Sequence, residues 1–331
     1  MKINQTIGID VSKNTLDVFI HVGQVHHCFA NNAKGFLSMI AWVNRQTSVA
    51  KEKRLFVFEN TGLYSVALAE FLSDSGSNFS VVSGLEIKKS LGIVRGKDDK
   101  SDSKAIALYA YRRRDELQPY KMPSKNLSRI RRLLLLREKL VRQRAGFKST
   151  ETEIKEHLHE GEHPMYFRVH HQMILHLSQQ IRSVENEIRL ILFSDKELFQ
   201  LFTLITSIVG IGEQTALFML AYTNGFTLFD NSRKFASYAG IAPFPYQSGT
   251  GIRGRTKVNH FANKRFKSLL SNCALSAIAN NPEIRSYFER RINEGKNKMS
   301  TINIVRNKLL SRIFAVVRRG TPYIGEYAPT C

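Results

Sequence analysis

The chain has 331 residues, with 49 Lys and Arg against 28 Asp and Glu, for a formal net charge of +21. That length allows two domains with sizeable cores, and that excess of cations points to a polyanionic partner. Cys28, Cys273 and Cys331 are too scattered for a disulfide framework or a paired-cysteine zinc site, and they fit a reducing cytoplasm.

Membrane association is the weaker reading of the charge. No signal-peptide core precedes the first apolar run, and the most apolar region, 188–212, is broken by Asp195, Lys196 and Glu197. The basic excess is also uneven. Residues 111–148 carry +10 and 201–331 carry +12, unlike a short, evenly basic binder.

Thr6-Ile7-Gly8-Ile9-Asp10-Val11-Ser12-Lys13 reads as a strand, because Ile7, Ile9 and Val11 are β-branched. Asp10 sits inside that run. A buried, unpaired carboxylate costs several kcal/mol, so it implies a hydrogen-bond network or a metal ion. Gly8 leaves room for close approach of a backbone or ligand. Residues 15–21 and 25–30 continue a meander, and 34–48 show helical spacing at Phe36, Met39, Ile40 and Val43. Residues 54–59 form a fully buried strand ending in Glu59. A helix opens at Thr61 and Gly62 and runs to Ser73, a strand covers 79–82, and a helix carries Ile87 and Leu91. The alternation is α/β.

Arg95-Gly96-Lys97-Asp98-Asp99-Lys100-Ser101-Asp102-Ser103-Lys104 then runs into a helix over 105–113. Asp99 and Asp102 share a helical face, as do Asp98 and Asp102. Either a cation relieves their repulsion, or the acids cap the helix and meet its dipole. Asp10 on the first strand, Glu59 at the end of the fourth and acids on a late helix make an RNase H-like arrangement. Such a site holds two Mg²⁺ ions about 4 Å apart. Oxygen ligands suit Mg²⁺ or Mn²⁺ rather than zinc.

The most basic stretch begins at Arg112, Arg113 and Arg114. Ser124 can cap a long helix bearing Leu127, Ile130 and Leu134 among Arg129, Arg131, Arg132 and Arg137. A second helix over about 166–193 carries Met173, Leu177, Ile181, Val184, Ile188 and Ile191 at spacings of three or four. Together they read as a long helical hairpin or coiled-coil dimer contact, whose basic face either binds nucleic acid or is the solvated face of an ordinary helical core. His157, His159, His163, His170, His171 and His176 cluster near its turn, and their spacing matches a solvated turn better than a zinc site.

Gly210-Ile211-Gly212 between two apolar helices resembles a helix-hairpin-helix, which offers backbone N–H groups to phosphate; a plain interhelical turn is the alternative. Residues 246–257 read as a glycine-rich loop headed by Ser248. Arg253, Arg255, Lys257, Lys264, Arg265 and Lys267 supply phosphate-binding charge around it. A serine there is only a hydrogen-bond donor to phosphate unless a base or metal activates it, and no His or Asp adjoins it. A last helix over 300–317 buries Ile302, Val305, Leu309, Ile313 and Val316.

These stretches together resemble one family, the DEDD transposases of insertion sequences that move with a bridge RNA, relatives of the Piv DNA invertase. Gly8-Ile9-Asp10-Val11-Ser12-Lys13 is similar to its first catalytic strand, Glu59 to its second acid, and Gly96-Lys97-Asp98-Asp99-Lys100-Ser101-Asp102 to its Asn-Asp-x-x-Asp segment. That register makes Asp99 and Asp102 the third and fourth acids, a choice that spacing leaves open. Gly210-Ile211-Gly212, Ala239-Gly240-Ile241-Ala242-Pro243 and Gln247-Ser248-Gly249 follow the family's order. Ala262 and Phe266 stand where its pattern often has Gly and Leu.

The resemblance implies a RuvC-like α/β domain over 1–115, a helical coiled-coil linker over 116–198 and a mainly α, serine-bearing domain over 199–331. It implies Ser248 as a nucleophile that joins to DNA, metal ions on Asp10, Glu59, Asp99 and Asp102, and a Holliday-junction intermediate. It also implies donor and target DNA, a structured noncoding RNA, and dimers assembling into a tetramer in the bacterial cytoplasm at the nucleoid. Carboxylates of one subunit would meet the serine of another. Two rivals remain: a RuvC-like nuclease or junction resolvase that uses water, and a non-catalytic nucleic-acid binder whose acids are caps and network members.

Overall fold

A computed structural model describes residues 3–91, 99–159, 161–248, 252–258 and 262–325; for 91, 99, 245–248 and 252–257 it describes the backbone alone. The chain divides into two compact units, Met1–Met122 and Pro123–Cys331.

The first unit is built on a five-stranded sheet. β1 (Gln5–Val11), β2 (Thr15–Ile20) and β3 (Val25–Ala30) are antiparallel neighbours. β4 (Arg54–Glu59) and β5 (Phe79–Val82) run parallel to β1, in the order β3-β2-β1-β4-β5. Alternation along the strands sends Ile7, Ile9, Val11, Phe56 and Phe58 to one face. There they pack with Phe36, Met39 and Val43 of α1 (Ala33–Gln46) and Leu68 and Leu72 of α2 (Leu63–Asp74). The opposite face carries Leu55 and Val57. It packs with Ile87 of α3 (Gly84–Leu91) and with Ile106, Tyr109 and Ala110 of α4 (Asp99–Arg112).

Gly8 fixes how α4 lies. A Cβ at this position would stand 2.3 Å from both Ala107 N and Ser103 O, so the helix backbone rests directly on the strand. Thr6 Oγ1 donates to Ala107 O at 3.0 Å. The helix takes in Asp99–Lys104 as well, ahead of the start at 105 expected from the sequence. Ser103 is fully buried, and its hydroxyl donates to Lys100 O. Burial against β1 outweighs the poor helix propensity of Asp and Ser.

The second unit is mostly helical. α5 (Lys125–His157), capped by Ser124, and α6 (Pro164–Ser194) form a long hairpin, each about 50 Å long at 1.5 Å per residue. α6 supplies an apolar seam of Ile174, Leu177, Ile181, Val184, Ile188 and Ile191. α5 answers with arginine bonds, Arg137 to Glu185 at 2.6 Å and Arg129 to Glu187 at 2.9 Å. The hairpin base shares one core with α7 (Lys196–Thr206), α8 (Glu213–Thr223), α9 (Ser232–Tyr238), α10 (Lys264–Asn280), α11 (Pro282–Asn293) and α12 (Lys298–Arg319).

The glycine-rich loop expected over 246–257 is instead largely a β-ribbon. β6 (Pro243–Ser248) pairs antiparallel with β7 (Ile252–Val258). In β7, Ile252, Thr256 and Val258 alternate with Arg253, Arg255 and Lys257, the period of a strand. Gly249 and Gly251 lie outside the described residues. No described helix is long and apolar enough to cross a membrane.

Candidate catalytic and nucleic-acid-binding sites

β1 and β4 are parallel with Ile9 opposite Phe58, so Asp10 and Glu59 come next on the same register line. Both follow by two residues a position on the α4 face, Gly8 and Val57 respectively. Strands in a sheet lie about 5 Å apart, so the two carboxylates end adjacent strands side by side. Each is half-buried. The Glu59 carboxylate fills the space that a side chain at Gly84 would take, with a Cβ there 2.1 Å from Oε1.

α4 carries two further acids, Asp99 and Asp102, at its N-terminal end. Its Ala107 lies against Thr6 and Gly8 of β1, and its Ser103 against Gly8. Tyr109, Ala110 and Ile106 pack with Leu55 and Val57. The Asp102 side chain is half-buried. Asp98 lies outside the described residues, and Asp99 is described by its backbone. Among the described residues no three His, Cys, Asp or Glu side chains converge to hold a metal ion, the hairpin histidines included. The donors at the sheet end are carboxylate oxygens, which suit a hard divalent cation.

Asp17 went unnoticed in the sequence. It stands directly opposite Asp10 in the β1–β2 register and is 8% exposed. Its Oδ1 lies 2.9 Å from His26 Nε2, and its Oδ2 accepts from Cys28 Sγ at 3.8 Å. A carboxylate inside a β-branched run was the signal, as it was for Asp10.

Ser248 is the last residue of β6, in register with Ile252, and Arg253, Arg255 and Lys257 take alternate positions along β7. The ribbon's root is tied to two helices. Asn303 and Asn307 of α12 both donate their side-chain amides to Ile241 O, at 2.9 and 3.1 Å. Asn263, the N-cap of α10, donates its backbone N–H to Tyr238 O at 2.9 Å. Arg306, 5% exposed, donates to Asn303 Oδ1, and burial pushes its pKa down.

The other basic positions divide. Arg112 and Arg113 are exposed at the end of α4, with Arg113 near Glu116 at 3.6 Å. Arg132 and Lys264 are exposed. Arg131 and Arg265 come together on aromatic rings: Arg131 stacks on Tyr222 at 4.6 Å and Arg265 on Phe218 at 4.2 Å. Arg265, expected among the phosphate-binding charges, is turned inward and ion-paired with Glu138. Burial lowers its pKa.

Gly210 has φ +95°, and a Cβ there would meet Ala277 Cβ at 2.6 Å, so packing on α10 is what demands glycine. Gly212 faces open space before α8. The first residue of that helix, Glu213, takes a bidentate bond from Arg189 at 2.9 and 2.9 Å, which holds its carboxyl below the usual range.

Two family models match this chain. The IS110 DEDD model, described as "Transposase", covers residues 7–161, and the model described as "Transposase IS116/IS110/IS902 family" covers 202–289. The chain belongs to the IS110/IS116/IS902 transposase family. As a family member it is a DNA transposase or recombinase, and its substrate is DNA. The first match of this transposase takes in the sheet and α5, and the second takes in the ribbon and its root on α10. It is 29% identical to the "Pilin gene-inverting protein" of Moraxella lacunata over 327 residues, 96% of this chain and 97% of that protein. The Moraxella bovis protein of the same name gives the same figures. The "Insertion element IS110 uncharacterized 43.6 kDa protein" of Streptomyces coelicolor is 30% identical over 145 residues, 44% of this chain and 35% of that protein.

Proposed function

We propose that this transposase cuts and exchanges DNA strands with Ser248 as nucleophile and Asp10, Glu59, Asp99 and Asp102 as a metal-binding centre on a RuvC-like domain. One observation carries the reading: Asp10 and Glu59 lie side by side near the ends of adjacent parallel strands, in the sheet on which α4, Asp99–Arg112, packs. Mg²⁺ or Mn²⁺ bound by these oxygens would favour the deprotonated nucleophile and stabilise the leaving oxygen.

Ser248 Oγ attacks the phosphorus of a DNA phosphodiester. The new Oγ–P bond replaces the P–O bond to the leaving nucleotide, whose hydroxyl gains the proton that the serine gives up. The phosphoserine conserves the bond energy, so a second strand's hydroxyl can reverse the step and complete exchange through a Holliday junction. Arg253, Arg255 and Lys257 beside Ser248 neutralise the phosphates that flank it. The names of the Moraxella relatives, which invert a gene, support strand exchange over simple cutting.

The net charge of +21 supports a second polyanion alongside DNA, here a structured bridge RNA that supplies site choice. Self-association into dimers and a tetramer completes the reading, with acids of one copy serving the serine of another, in the bacterial cytoplasm at the nucleoid. The test is to mix the protein and its co-purified RNA with DNA from the ends of its element and to denature the mixture. A covalent protein–DNA adduct that Ser248→Ala abolishes is the expected result. Metal-dependent cleavage without any adduct would replace the serine reading by water attack.

A further inference from the structure

A cavity of about 340 Å³ opens beside Glu59. It lies at the C-terminal ends of the parallel strands β4 and β5, the end of a parallel sheet where ligands are held. Val81 and Val82, consecutive residues of β5 that face opposite sides of the sheet, line its strand end, and Tyr120 adds an aromatic ring. Asn60 and Ser83, both exposed, bring an amide and a hydroxyl to the rim.

Tyr120 is held in place rather than loosely attached. Its backbone N–H donates to Phe79 O at 2.6 Å, and two residues earlier Gln118 O accepts from Ser80 Oγ at 2.6 Å. The segment is thus strapped to the edge strand β5. The Tyr120 ring is half-buried and leans on Phe79, with centroids 5.7 Å apart.

The lining decides the ligand class. Among the described residues no lining side chain is a cation, and the Glu59 carboxylate disfavours a phosphate group inside. One aromatic ring, the apolar end of β5 and a few hydrogen-bonding groups at the rim suit a flat heterocycle with a polar edge. We propose that the cavity takes a nucleobase of the DNA strand next to the phosphate being cut, with Tyr120 as its stacking surface and Asn60 and Ser83 at its edge. This rests on Glu59 belonging to the catalytic centre, because the shared wall is what places the base beside the cut.

The test uses the full chain with its co-purified RNA and element-end DNA carrying 2-aminopurine, one position at a time, on either side of the cut. Asp10→Asn protein keeps the DNA intact during the measurement. Binding is expected to quench the fluorescence at one flanking position. Tyr120→Phe keeps the quench. Tyr120→Leu, which fills similar space without a π face, loses it and weakens binding about tenfold, within the range for one base stack. Tyr120→Ala adds a second reading of the same loss. The proposal is overturned if no flanking position is quenched, or if the quench survives Tyr120→Leu. Failure of the catalytic reading looks different: Asp10→Asn protein would then cut the unlabelled DNA at the wild-type rate, whatever the fluorescence shows.

Discussion

Gly8 of β1 lies so close beneath Ala107 of α4 that a side chain at Gly8 would stand 2.3 Å from the Ala107 nitrogen. The atoms in the way are backbone and cannot swing aside. Gly8→Ala therefore lifts α4 from the sheet, at a cost of about 3 kcal/mol or more, the upper end for overpacking. The same shift moves Asp102 and position 99 relative to Asp10. A lower melting temperature together with lost DNA cutting is expected. Unchanged stability would show that the helix does not sit where Gly8 requires it.

Asp10 and Glu59 carry the second prediction. If the two carboxylates share divalent cations, Mn²⁺ should raise the melting temperature of the wild-type chain, since a ligand that binds only the folded state stabilises it. Asp10→Asn and Glu59→Gln should each remove that rise, and EDTA should remove it from the wild type. Strand cutting should fall by more than about 100-fold, beyond the about 10- to 100-fold lost when only a supporting group is changed. A variant that still responds fully to Mn²⁺ would break the assignment of that acid.

How much of this was legible in the sequence depends on where the deciding force acts. β4 and β5 are short, mostly apolar runs, and both strands begin and end where the pattern does. Ser124 caps α5 through Leu127 N, a local bond that spacing can foresee. The helical state of Asp99–Ser103 was harder to read, because Ser103 is buried against Gly8, about a hundred residues away in the sequence. The ribbon over 243–258 was hidden by its glycines and by charges that resemble a loop, although every second residue of β7 is apolar or small. Arg265 could not be told from its neighbours, since only the fold reveals Phe218 beneath it and Glu138 beside it.

His21 gives a pH prediction. Burial lowers its pKa below the ordinary 6.5, and Arg112, Arg114 and Lys104 lower it further, while the ring stacks on Tyr111 at 4.2 Å. A histidine that resists protonation in the folded state binds fewer protons there than in the unfolded chain. Its contribution is therefore intact above pH 6.5 and declines as pH falls below that value. Chemical denaturation from about pH 7.5 to about pH 5.5 should show stability falling less steeply for His21→Gln than for the wild type. Equal slopes would mean that His21 titrates normally.

The ribbon's root supplies the last prediction. The Ile241 carbonyl belongs to a fully buried residue and accepts from two amides, Asn303 and Asn307. Either donor alone satisfies one lone pair, so Asn307→Ala should cost only about 1 kcal/mol, a typical net hydrogen bond, and Asn303→Ala more, because it also removes the acceptor of the buried Arg306. The double change leaves a buried carbonyl without either amide, and its cost should exceed the sum of the singles by about 1 kcal/mol, the coupling expected of groups that share a partner. Because the carbonyl lies just before Pro243, hydrogen exchange over 243–258 should rise in the double variant and hardly change in the singles. Strictly additive energies would show that the amides act separately, and that the ribbon bearing Ser248 is held by something other than this shared acceptor.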